Sequence, residues 1–129
     1  MDEIAKEYIE ALKTLPEELK VAQLGLLELQ RNKESTERAL ALLKIETAMA
    51  VAGAKDPETS KALYTNETAR DAEIHRRMGT DEKAVRIREA LDALRASGEK
   101  AKIELAYLEN RYSSARHILD YLAACKRGG

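Results

Sequence analysis

Twelve positions, Ala84, Ile87, Leu91, Leu94, Gly98, Ala101, Leu105, Leu108, Tyr112, Ala115, Leu119 and Leu122, follow one another in alternating steps of three and four. More than five heptads on one phase leave few folds open to the chain. A strand places every second residue on a face, whereas this spacing places every third or fourth one there. The pattern predicts a helix over 81–125, roughly 65 Å long at the standard rise. Ser97-Gly98 is its weak point, compatible with a close backbone approach or a local bend. Residues 126–129, Lys-Arg-Gly-Gly, are expected to fray.

A second stripe precedes it. Leu15, Leu19, Ala22, Leu26 and Leu29 set the phase, and the same steps reach Lys33, Thr36, Leu40, Leu43, Thr47 and Ala50. This predicts a first long helix over 15–53. Leu24, Leu27, Leu42 and Ile45 widen the apolar face, which implies burial against more than one neighbour. The polar stretch 31–37 reads as a solvated waist, a loop or a device that fixes register, and Ser35-Thr36 offers a second helix start. We expect the helix to continue through it. Before it, Ile4, Tyr8, Ala11 and Leu12 predict a short helix over 1–13. Thr14-Leu15-Pro16-Glu17 then reads as a restart, with Thr14 as N-cap, Pro16 in the first turn and a break or a kink near 13–16.

Gly53 and Asp56-Pro57 end the first long element. Residues 54–80 form the connector, with a possible helical turn over 58–64. Thr65 or Asn66 caps a short helix over 67–78. Gly79 suits its C-cap, and Thr80 or Asp81 suits the N-cap of the next helix. The expected fold is all-α: one helical domain over 1–129, built as a long antiparallel, coiled-coil-like hairpin with a short connecting helix. The chain has no Trp and no Phe, so alanine and leucine must supply a narrow seam. Burying the remaining leucines against another chain gains about 25 cal/mol per Å², so a homodimer or higher oligomer is expected.

The formal charge is −1, and no net field draws the chain toward nucleic acid or an anionic membrane. The single cysteine, Cys125, excludes an internal disulfide. The opening MDEIAKEYIE is acidic, unlike a secretory signal, and no apolar run reaches membrane-spanning length. The cytoplasm is the expected location.

The chemistry-bearing residues form no complete constellation. Asp71 with His75, and His117 with Asp120, each offer two metal ligands where zinc takes four. Cys125 and His117 lack an oxyanion environment. No catalytic residue, metal or cofactor is therefore assigned, and the chain is expected not to be an enzyme. Contacts with another protein are the leading expectation. The candidate positions are the basic edge His75, Arg76 and Arg77, together with Arg88, Arg95 and Arg111, and the tyrosines Tyr107 and Tyr121. The alternative is weak nucleic-acid binding through the basic residues of 75–102, although Glu82, Glu89, Asp92 and Glu99 run among them.

The segments Tyr64-Thr65-Asn66-Glu67, Arg70 and Glu104-Leu-Ala-Tyr-Leu-Glu-Asn-Arg-Tyr-Ser-Ser-Ala-Arg116 carry a resemblance. Over residues 40–122 the chain resembles small coiled-coil proteins of phage and prophage early regions, often encoded near recombination genes. The matched positions are Asn66, Glu67, Arg70, Asn110, Arg111 and Tyr112. The resemblance implies an accessory factor that binds a replication, recombination or host-defence protein, and no particular reaction.

Overall fold

The computed structural model describes residues 2–128, with the side chain of Asp2 outside the description. It is all-helical: α1 spans Asp2–Gly53, α2 Glu67–Thr80 and α3 Glu82–Gly128. The expected helix at 81–125 is α3, which remains helical through Lys126–Gly128; Gly129, in the predicted frayed tail, lies outside the described residues.

The expected break near 13–16 is absent, because α1 runs unbroken through Pro16. Proline in a helix interior removes one backbone bond and crowds the preceding carbonyl. Two features compensate. Leu15, next to it, is only 1% exposed. Thr14, expected to cap a new helix, instead returns its hydroxyl to the carbonyls of Glu10 (3.2 Å) and Ala11 (3.4 Å). The polar stretch 31–37 is helical as expected, with the Thr36 hydroxyl donating to the Asn32 carbonyl at 2.8 Å.

The connector differs from a helical turn over 58–64. Lys55 and Ala62 form an isolated antiparallel bridge. The Leu63 N–H donates to Ala54 O, and the Asp56 N–H to Lys61 O. Asp56 Oδ1 accepts from the Glu58 N–H at 2.8 Å, an Asx turn that reverses the chain before helix nucleation can begin. Ser60 takes a left-handed φ of 59° at the bend. Asn66 then caps α2, its Oδ1 accepting from the Ala69 N–H at 2.8 Å. Gly79 is not the C-cap; α2 continues to Thr80. Asp81 is extended and serves both helices. Its N–H donates to Arg77 O, while its Oδ1 accepts from the N–H groups of Lys83 (2.7 Å) and Ala84 (3.2 Å).

The described chain divides into two compact units: residues 1–30 with 96–129, and residues 31–95. In unit 1, residues 7–14 of α1 lie beside 107–118 of α3, and 17–22 beside 104–111. The numbering runs in opposite senses, so this helix pair is antiparallel. Its core is Leu15, Leu108 and Ala115. In unit 2 the core is Leu43, Val51, Ala84 and Leu91, and α2 adds a third helix. The stripe over 84–122 is buried or half-buried at every position. The first stripe holds until Ala50, which is exposed, while Val51 is fully buried. A helix of 3.6 residues per turn drifts from a 3.5-residue pattern, and the final step becomes four.

Leu24, Leu27, Leu42 and Ile45 do not join this core; all four are exposed. Gly98 likewise admits no neighbouring backbone, since a Cβ built there meets nothing within 4 Å. Its helix continues without interruption. Gly98→Ala is therefore expected to stabilise the protein by about 0.5–1 kcal/mol, since alanine restricts the unfolded chain and meets no clash. A chemical denaturation midpoint shifted upward at unchanged slope checks this.

Candidate functional site

The candidate residues fall into two groups. His75, Arg76, Arg77, Arg88 and Arg95 belong to unit 2; Tyr107, Arg111 and Tyr121 belong to unit 1.

In unit 2, Glu73 organises the basic edge. Its carboxylate, on a side chain 12% exposed, accepts from Arg76 and from Arg77 Nε at 3.0 Å. Residues three and four apart on a helix meet in this way. The hydrogen bonds from Arg76 and then Arg77 hold the Glu73 carboxyl at about 2, below its ordinary 4.5. The sign of the pH effect follows. A carboxyl depressed in the folded state contributes its full stability above pH 4.5 and loses it as pH falls toward about 2. Glu73→Gln is expected to melt below the parent at pH 7, with the gap closing between pH 4.5 and 2. Melting curves of both proteins at five pH values check this.

Arg88 also has an internal partner. Its Nη2 donates to the Met78 carbonyl at 2.8 Å, tying α3 to the last turn of α2. Arg86 pairs with Glu82, Lys102 with Glu99, and Arg95 lies 3.8 Å from Asp92. The basic residues of 75–102 thus sit largely beside acids of their own helices. His75 is placed differently: with Leu40, Lys44, Asp71, Ile74, Met78 and Arg88 it lines a recess in unit 2. Asp71 and His75 do share that recess. Among the described residues no group of three or more His, Cys, Asp or Glu side chains converges on a metal position.

Unit 1 brings Tyr107 and Arg111 together. The Arg111 guanidinium lies over the Tyr107 ring, 5.8 Å from its centroid, close enough for a cation–π attraction. No carboxylate lies within 4 Å of Arg111 among the described residues. The pair borders two adjoining recesses between α1 and α3, which make one groove. Ala11, Ala22, Leu108 and Ala115 form its floor. Glu7, Glu10, Glu17 and Glu18 rise from α1, and Glu104 from α3. Tyr121 is exposed and lines neither recess. Of the other matched positions, Asn66 and Glu67 start α2, and Asn110 lines the groove beside Arg111. Tyr112 is half-buried, with Arg116 over its ring at 6.0 Å.

The groove was not legible from the stripes, which give core positions only. Glu7, Glu10, Glu17 and Glu18 along α1 were a signal, but they identify a wall only once α3 is in place. The fold and this site define an all-α protein with an open interhelical groove. Comparison with family models, curated proteins and solved structures finds no match. No described helix is long and apolar enough to cross a membrane.

Proposed function

We propose that this protein is a non-enzymatic helical interaction factor that works by docking other helices. The observation that carries the reading is its exposed apolar surface. Val21, Leu24 and Leu27 in unit 1, and Leu42, Ile45 and Met49 in unit 2, are all at least 41% exposed on well-formed helices. Large apolar side chains at helical spacing gain free energy when a second helix covers them. The proposal includes self-association, a cytoplasmic setting, and an accessory role in phage or prophage biology beside a replication, recombination or host-defence protein; the sequence resemblance supports that last part.

Sedimentation velocity at micromolar concentration is expected to give an assembly larger than 14.4 kDa. Capture from a host lysate with the tagged full chain is expected to enrich a specific protein. A monomer that enriches nothing overturns the reading. Nucleic-acid binding through 75–102 is the weaker alternative, because Glu73, Glu82, Asp92 and Glu99 already accompany its cations. A titration with short DNA at low salt is expected to show no binding.

A further inference from the structure

We propose that the unit 1 groove docks a basic amphipathic helix of a partner protein, with the partner's apolar face on the alanine floor and its Lys or Arg side chains against the α1 glutamates. The inference rests on the helix-docking reading above and names the chemistry of the partner.

Three observations support it. The first is shape. From Glu7 to Ala22 the α1 wall is about 22 Å long, which matches a helix of about 15 residues. Ala11 and Ala22 at its base are small and half-buried, Leu108 and Ala115 are already covered by the α1–α3 seam, and Val21 and Tyr107 supply the exposed apolar area. The second is charge. Glu7, Glu10, Glu17, Glu18 and Glu104 line the groove, while Arg111 is the cation among its lining residues. An acidic rim around an apolar floor favours a basic helix and repels an acidic one.

The third comes from unit 2, where a similar stretch of α1 lies beside α2. There α1 presents Glu46-Thr47-Ala48-Met49-Ala50, a glutamate with small residues one and four places on. Unit 1 carries the same arrangement in Glu10-Ala11-Leu12-Lys13-Thr14. Glu46, Thr47 and Ala50 line a recess with Arg77 and Thr80 of α2, and Met78 Sδ lies 3.6 Å from the Thr47 hydroxyl oxygen. In unit 2 this motif thus lies next to α2, with Met78 beside Thr47 and Arg77, itself held by Glu73, on the rim of the same recess. In unit 1 the same motif borders the open groove.

The test uses the full chain and two fluorescent synthetic peptides of about 15 residues. Both carry Leu and Ala on one face; one is flanked by Lys, the other by Glu. The Lys peptide is expected to bind, and the Glu peptide to bind at least about tenfold more weakly, a difference of about 1.4 kcal/mol. Glu17→Lys/Glu18→Lys is expected to weaken the Lys peptide by at least about tenfold, and Tyr107→Ala to weaken it several-fold. Glu89→Lys, outside the groove, is expected to leave it unchanged. All of these side chains are exposed, and an unchanged circular dichroism spectrum confirms the fold. Equal binding of the two peptides, or undiminished binding to Glu17→Lys/Glu18→Lys, overturns the proposal. So does loss of self-association in that variant, since the groove would then hold a second copy. Each of these results leaves the wider docking reading standing, which falls only if the wild-type chain is a monomer and enriches no protein.

Discussion

Leu15→Ala is expected to lower the unfolding free energy by about 2–5 kcal/mol, the range for truncating a buried leucine. Leu15 is 1% exposed and has few partners to share its role, because the other buried side chains of unit 1 are Leu108 and Ala115. The loss is one of packing and not of helix propensity, since alanine is the better helix former. It also removes the burial beside Pro16, where the backbone already lacks one donor. Thermal melts should therefore show an early loss of helix signal. A shift below about 1 kcal/mol would mean that Leu15 is far less enclosed than 1% exposure implies.

Val51→Asp is expected to have a larger effect, several kcal/mol, enough to unfold unit 2 at 37 °C. Val51 is fully buried, and among the described residues no polar or charged residue is buried. An isolated carboxylate there loses its hydration and gains no partner. Val51→Thr separates polarity from charge at nearly constant volume. Its hydroxyl has the Thr47 carbonyl one turn back, as the Thr47 hydroxyl has that of Leu43 at 2.8 Å. The threonine variant is thus expected to cost about 1–2 kcal/mol. Urea denaturation of the two variants side by side provides the measurement. Equal midpoints would contradict the burial of residue 51.

The core was readable in the sequence nearly residue by residue, because a helix converts spacing into a face without reference to its neighbours. Asn66 was readable for a similar reason: a cap bonds to an N–H three residues away. The misread positions are those where a local signal competed with packing. Pro16 and Thr14 promise a break, yet Leu15 holds the helix together through it. Gly79 promises an end, yet α2 continues by one residue to the point where Asp81 can serve two helices. Leu24, Leu27, Leu42 and Ile45 read as apolar area for a further neighbour, and within this chain they stay exposed, because hydrophobicity marks what gains from burial and not whether this chain supplies the cover.

For function, the spacing of apolar residues predicted the helices and their seam, and residue type marked Tyr107 and Arg111 as suited to contact. Only the tertiary structure decided that these two border a groove walled by glutamates, while Arg76, Arg77 and Arg88 are turned to internal partners. The physical reason is range. Helix formation and capping are settled within about four residues, whereas a groove joins positions some ninety residues apart, such as Glu17 and Arg111, that only packing can bring together.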